Sequence, residues 1–175
     1  TVDGDERIYF GWNNNVSTSG TNTLTNTAGA TLNLSSTHGV PLDYSSGTAG
    51  IFNNAGTLNQ TATGAHAIHG NVAFNNTGTV NVHAGTLTVG GGGTDTGLYA
   101  IDGGATLNFA GGTRNLNANA NISGAGTVVV SGASVNVGAA LDLSTSGTAL
   151  AISAGGFGIN TGINVIAGAV TLSGG

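Results

Sequence analysis

Apolar residues two apart recur through most of this chain, and glycine or asparagine punctuates each group. Gly104-Ala105-Thr106-Leu107-Asn108-Phe109 is one such group, and Gly126-Thr127-Val128-Val129-Val130 is the next, with Val128 answering to Leu107. Ile51-Phe52-Asn53-Asn54-Ala55-Gly56-Thr57-Leu58-Asn59 matches Ala73-Phe74-Asn75-Asn76-Thr77-Gly78-Thr79-Val80-Asn81 position for position, so that Phe52 answers to Phe74 and Leu58 to Val80. Leu24 to Asn33 is a looser copy. Period-2 spacing puts alternate side chains on opposite faces of an extended strand. Leu32-Asn33-Leu34, Val80-Asn81-Val82, Leu107-Asn108-Phe109 and Val135-Asn136-Val137 thus each turn two apolar residues one way and an asparagine the other. Glycine and asparagine between groups permit positive-φ corners. Leu87 follows Val80, and Val135 follows Val128, at only a third of the step that separates Leu107 from Val128, so one long step holds three short strands. Helix-favouring Glu, Lys, Gln, Arg and Met are nearly missing.

The pattern predicts an all-β fold, a right-handed parallel β-helix (β-solenoid) with about 20–22 residues per coil. Stacked coils bring equivalent positions into columns. Phe52, Phe74, Leu107 and Val128 form the expected inward stack, and Asn33, Asn59, Asn81, Asn108 and Asn136 an external ladder. Asn53 with Asn75, and Asn54 with Asn76, make further amide pairs from coil to coil. At ~4.8 Å per coil, the chain makes about eight coils and a rod of roughly 40 Å.

Residues 1–20 depart from the rhythm and read as an N-terminal cap or joining segment, with solenoid repeats over 21–175. Bulky Ile8, Tyr9, Phe10 and Trp12 suit the covering of an open repeat end; the alternative is an aromatic ligand platform. Both ends of a solenoid present unpaired strand edges. Ile8, Tyr9, Phe10 and Trp12 at one end, with Val170 and Leu172 at the other, are the candidate end-to-end contacts. Methionine is absent even at the first position, which reads as a processed or excised product.

Composition narrows the function. Charged residues are 5% of the chain against 39% hydrophobic, so the chain orders rather than remaining disordered. The only basic residues are Arg7 and Arg114, and the net charge is −5. Phosphate neutralisation has nothing to work with, which excludes nucleic acid and a polybasic membrane mode. Without lysine there is no Schiff-base chemistry. Without cysteine there is no disulfide or thiol chemistry. No apolar run is long enough to span a bilayer, so no membrane insertion is expected.

Candidate chemistry is sparse, and no catalytic, cofactor-binding or metal site is assigned. His66 and His69, with His38 or His83, have the right side chains for zinc or copper. On an extended chain, however, i,i+3 histidines diverge, and they read as exposed corner residues. Gly90-Gly91-Gly92-Gly93-Thr94-Asp95-Thr96-Gly97 lacks the lysine of a phosphate loop and reads as a flexible corner. Asp3, Asp5 and Glu6 suit a calcium ion only if other ligands join them, and read as a solvated end paired partly with Arg7. A polysaccharide-cleaving enzyme needs two facing carboxylates. Asp43, Asp95, Asp102 and Asp142 fall at no equivalent positions, so an enzyme is not expected. Thr31, Thr57, Thr79, Thr86, Thr106 and Thr127 leave an ice-binding threonine ladder as a minor reading.

Gly104 to Thr113, Ile122-Ser123-Gly124-Ala125-Gly126-Thr127-Val128, and Phe74 to Val82 resemble the repeats of large bacterial exported proteins. These are the autotransporter passenger and filamentous-adhesin type of right-handed β-helix, and the resemblance covers residues 21–175. It implies secretion or cell-surface display and a structural or adhesive role. The expected function is therefore a non-catalytic extracellular solenoid, a subunit of a self-assembling surface fibre or an adhesin stalk, with no cofactor. Its expected partners are itself, head to tail, or the rest of a longer parent chain. The alternative is an adhesin module that binds glycan or a cell surface near Tyr9, Trp12, Tyr44 or Tyr99.

Overall fold

The computed structural model describes residues 1–11, 20–141, 143, 147–160 and 169–174. Within them the chain is all-β, with parallel strands stacked as a β-solenoid of about 6 turns. Each coil contributes three strands to three faces, and the strands are numbered along the chain. Face one stacks β1 (Ile8–Phe10), β4 (Leu42–Tyr44), β7 (Ala65–Ile68), β10 (Thr86–Val89) and β13 (Thr106–Phe109). It continues with the first halves of β16 (Thr127–Val137) and β17 (Ala149–Ile159), and then β18 (Val170–Leu172). Face two stacks β2 (Asn22–Asn26), β5 (Gly50–Asn54), β8 (Val72–Asn76), β11 (Gly93–Asp95), β14 (Thr113–Leu116) and the second halves of β16 and β17. Face three stacks β3 (Thr31–Leu34), β6 (Thr57–Gln60), β9 (Thr79–Val82), β12 (Leu98–Ile101) and β15 (Asn121–Ser123).

From β5 onward the coils are short and nearly uniform: Phe52 pairs Phe74, Leu87 pairs Leu107 and Leu150 pairs Val170. The first coils are longer: Ile8 pairs Leu42, Asn22 pairs Gly50 and Thr31 pairs Thr57. Those long connections consume residues without adding rungs. The chain therefore makes about 6 turns rather than the eight that a uniform period implies. Val2 bridges Leu34 on face three, and β1 forms the first rung of face one, so residues before position 20 enter the stack themselves.

The core follows from alternation. In β6, β9, β10, β12 and β13 the second and fourth residues are buried and the others are half-buried. Phe52 lies in register with Phe74, both fully buried, with ring centroids 5.1 Å apart. Leu107 lies in register with Val128, also fully buried. Fully burying one such side chain contributes roughly 1.5–3 kcal/mol, so the interior columns carry most of the stabilisation.

Between faces two and three the chain turns through Asn-x-Gly. Asn54 and Asn76 sit fully inside, and Asn26 is 8% exposed. The Asn26 side-chain amide donates to Asn54 Oδ1 (2.8 Å), and that of Asn54 donates to Asn76 Oδ1 (2.9 Å). The same column of amides also donates to the carbonyls of Thr57, Thr79 and Leu98 one turn on (2.9, 3.1 and 3.2 Å), satisfying buried backbone that the corner would otherwise strand. The following glycines are required because the stacked corners touch. A Cβ on Gly78 would stand 2.1 Å from the Gly56 carbonyl oxygen, and one on Gly97 2.2 Å from that of Gly78.

Candidate functional site

The most concentrated chemistry lies inside the rod. Asp95 is in register with Asn76 and takes the next place in the asparagine column. In the inward column beside it, Gly93 lies against Phe74 and is in register with Arg114. A side chain at Gly93 would force the backbone to shift, because its Cβ would stand 1.8 Å from the Phe74 carbonyl oxygen and 2.9 Å from Arg114 Nη1. The missing side chain makes room for the guanidinium of Arg114, which lies 5.6 Å from the Phe74 ring centroid and 5.5 Å from that of Phe109. Arg114 Nη1 donates to the Phe74 carbonyl (2.8 Å) and Nε to Asp95 Oδ2 (3.1 Å), while Nη2 bonds both Asp95 oxygens. The Tyr99 hydroxyl donates to Asp95 Oδ1 (2.9 Å) and accepts from Arg114 Nη2 (3.2 Å). The Asn76 N–H also donates to Asp95 Oδ1 (3.2 Å).

Arg114 and Asp95 have no exposed surface. Burial pushes the Asp95 carboxyl up, against the pull of Arg114, Tyr99 and the Asn76 N–H. Burial also drives the Tyr99 phenol well above its ordinary range. For Arg114, burial works against the cation, but Tyr99 and Asp95 outweigh it and hold it charged. The cluster is closed, with its polar groups turned on one another and none on solvent, so it has the chemistry of a structural node rather than of a substrate site.

The sites suggested by sequence are placed as follows. Asn33, Asn59 and Asn81 form one external ladder on face three, each joined to the next at 2.8 Å. Asn108 and Asn136 do not belong to it. Asn108 is on face one and accepts from Ser131 Oγ (2.8 Å), and Asn136 is on face two and donates to Asn115 Oδ1 (3.0 Å). Their shared form, an asparagine preceded by Leu or Val, comes from strands on three different faces. The threonines also divide, with Thr31, Thr57 and Thr79 stacked on face three and Thr86, Thr106 and Thr127 on face one.

Several expectations are corrected. His66 is not an exposed corner residue but an inward position of β7, 3% exposed, because alternation with Ile68 turns it into the core. His69 faces outward against Tyr44, with ring centroids 5.5 Å apart. Gly90 to Gly97 is not one flexible corner: Gly93–Asp95 is strand β11, held by β8 and β14. Tyr99 is buried and offers no exposed ring. Arg7 pairs not with the neighbouring acids but with Asp43 (3.3 Å) and His38 Nε2 (2.8 Å), and lies over the Tyr9 ring (4.6 Å to the centroid). Phe10 is buried beneath Gly50, and Ile8 is half-buried. Trp12 and Asp142 lie outside the described residues.

Asp43, Asp95 and Asp102 have separate partners: Arg7 for Asp43, Arg114 for Asp95 and His83 Nδ1 (2.8 Å) for Asp102. Among the described residues, no three His, Asp or Glu side chains converge as metal ligands, and no helix is long and apolar enough to cross a membrane. Sequence reasoning misses the Asp95–Arg114 pair, although one signal for it exists. Asp95-Thr96-Gly97 repeats the Asn-x-Gly corner of Asn54-Ala55-Gly56 and Asn76-Thr77-Gly78 with aspartate in place of asparagine.

Fold and columns together define a parallel β-solenoid repeat protein. Compared with protein-family models, curated proteins and solved structures, the chain gives no match.

Proposed function

We propose that the chain is a structural, non-catalytic solenoid of a secreted or surface-displayed fibre or adhesin stalk, lengthened by stacking coil on coil. The observation that carries this reading is the distribution of exposed apolar groups. Among the described residues the exposed large hydrophobics are Ile159 (55%), Val170 (50%) and Leu172 (74%), all on the last rungs. Among the described strands β18 pairs β17 alone, and its other edge can take a further parallel strand. At the opposite end a groove of mixed polar and apolar lining, with Ile8, Tyr9, Phe10 and residues 21–24, lies beside the edge of β2. A first rung seated on a last rung makes a longer rod, whether it comes from more of the same solenoid or from a second copy. Such head-to-tail contacts do not close, so copies stacked this way form filaments. The near absence of charge fits close stacking, and the resemblance to exported bacterial repeats supports the surface setting.

Electron microscopy of the purified protein across a concentration series tests the reading. Filaments with an axial repeat near one rod, about 30 Å for 6 turns at ~4.8 Å each, are expected. Short single rods at every concentration overturn self-assembly.

A second reading, glycan or surface recognition, is favoured by one place on the exterior. Tyr9 under Arg7, Asp43, and Tyr44 against His69 bring ring faces and hydrogen-bonding groups together on the first rungs of face one. A glycan array that stays blank removes it.

A further inference from the structure

Inside the corner between faces three and one, two buried polar side chains meet, Gln60 and His66. Gln60 ends β6 in a column whose neighbours are Leu34 and Val82, so an amide stands where the adjacent coils place hydrocarbon. It is fully buried. Its Nε2 donates to the Ala62 carbonyl (2.9 Å) and lies 2.8 Å from His66 Nδ1, while its Oε1 has no hydrogen-bond partner. His66 is in register with Leu87 of the next coil. Ser36, in the coil before, is 1% exposed, and its Oγ donates to the Glu6 carbonyl (2.7 Å) and accepts the His38 N–H (3.0 Å).

This bonding pattern fixes the histidine. The Gln60 amide nitrogen is a donor, so Nδ1 must accept, and the single ring proton sits on Nε2. A second proton on Nδ1 would point at the Gln60 NH2 group. The acceptor available to it is Gln60 Oε1, which reaches Nδ1 only if the amide turns over. That turn removes the donor from the Ala62 carbonyl and sets an oxygen against it. Thr61 keeps its N–H on the Leu34 carbonyl, but residues 62–64 lose the side-chain bond that ties Ala62 to the core. Those residues seat the next coil: the Gly64 carbonyl accepts the Thr86 N–H (2.7 Å), and Gly85 packs so closely that a Cβ there would stand 2.2 Å from the same oxygen.

We propose that His66 and Gln60 form a proton-operated switch in the solenoid interior. Neutral His66 holds the corner shut through Gln60 and Ala62, and protonated His66 turns the amide and releases it.

The surrounding ionisable groups leave the histidine without a counter-charge. β3, β6 and β10 carry no ionisable side chain. Asp43 of β4 is engaged by Arg7 and the Tyr44 N–H, His38 bonds Arg7 and the Val40 N–H, and Glu6 contributes its carbonyl. His69, just past β7, accepts the Asn71 N–H and faces Tyr44. Burial therefore lowers the His66 pKa from its ordinary value, although the Ser36 backbone pulls it back up. A histidine lowered in the folded state leaves stability intact above the unfolded value, near 6.5. Stability is lost as pH falls from there toward the folded value, by tenfold in the folded-to-unfolded ratio for each pH unit in that window.

NMR of the intact chain between pH 8 and 4 tests this. The ring signals of His66, the side-chain amide of Gln60 and the protection factor of the Thr86 N–H are expected to change with one midpoint, the last by tenfold or more. In Gln60→Leu, which matches Leu34 and Val82, the Thr86 change is expected to vanish. In Gln60→Glu, the midpoint of His66 is expected to move above 6.5. A His66 titration that leaves Gln60 and Thr86 unmoved in the wild type overturns the proposal without any variant. So does a Thr86 response that survives in Gln60→Leu.

Discussion

Breaking the Asp95–Arg114 pair from one side is expected to cost far more than replacing it whole. Arg114→Met removes the cation and leaves the Asp95 carboxylate with two donors, the Tyr99 hydroxyl at 2.9 Å and the Asn76 N–H at 3.2 Å, in a site with no exposure. Asp95→Asn extends the asparagine column but leaves a buried guanidinium with neutral acceptors only, the Phe74 carbonyl, the Tyr99 oxygen and the new amide oxygen. Losing one partner of a buried pair costs about 3–5 kcal/mol, so each single variant should fall in that range. In a chain of 175 residues this lowers the thermal midpoint by roughly 6–20 °C. The double variant should return to within about 2 kcal/mol of the wild type. No charge is then stranded, and methionine is flexible enough to fill most of the space between Phe74 and Phe109. Urea unfolding followed by circular dichroism at neutral pH, where a single transition is seen, supplies the four corners of the cycle. A coupling of about 4 kcal/mol or more is expected, above the roughly 0.5–3 kcal/mol that touching residues usually show. Additive losses, or an Arg114→Met variant within about 1 kcal/mol of wild type, refute the reasoning.

Gly93→Ala should destabilise by at least about 1–3 kcal/mol, since its Cβ meets the Phe74 carbonyl at 1.8 Å and backbone must shift; a thermal midpoint equal to wild type counts against the fit. Asn54→Leu breaks the middle of the inner amide column and takes the donor from the Thr79 carbonyl and Asn76 Oδ1 and the acceptor from the Asn26 amide, for about 1–3 kcal/mol per buried group left unpaired, measured by urea midpoint. Leu172→Asp, at a position 74% exposed, should leave the thermal midpoint within about 0.5 kcal/mol while shortening or abolishing filaments in electron micrographs. Unchanged filaments would detach assembly from the last rung.

What can be read from sequence is whatever the repeats copy without change. Phe52 and Phe74 are legible as a stack because the residues around each match at a constant offset. Asn54 and Asn76 are legible for the same reason. The next rung is lost because two things change at once. The step from Asn76 to Asp95 is shorter than the step from Asn54 to Asn76, and the asparagine becomes aspartate. A glycine run then looks like a loop, when Gly93 is in fact the vacancy that accommodates an arginine from a later coil. No local pattern tells Arg114 that its partner is Asp95, since the bond depends on register between coils. His66 is misread although the signal is present, because Ile68 two residues on already fixes which way it points. Asn108 and Asn136 show the opposite failure, in which one local form serves three faces and similarity of form does not imply adjacency.

The buried charge node also bears on how the rod yields under load. A solenoid exchanges contacts only between neighbouring coils, so it comes apart as a fork travelling inward from an end, one turn at a time. Most turns release only apolar side chains and amides. At the junction joining β11, β12 and β14 the fork must instead part a guanidinium from a carboxylate with no water yet at hand. The node thereby sets a local kinetic cost near mid-length, because the two charges must separate before water reaches them, while it adds little to the equilibrium stability of the rod.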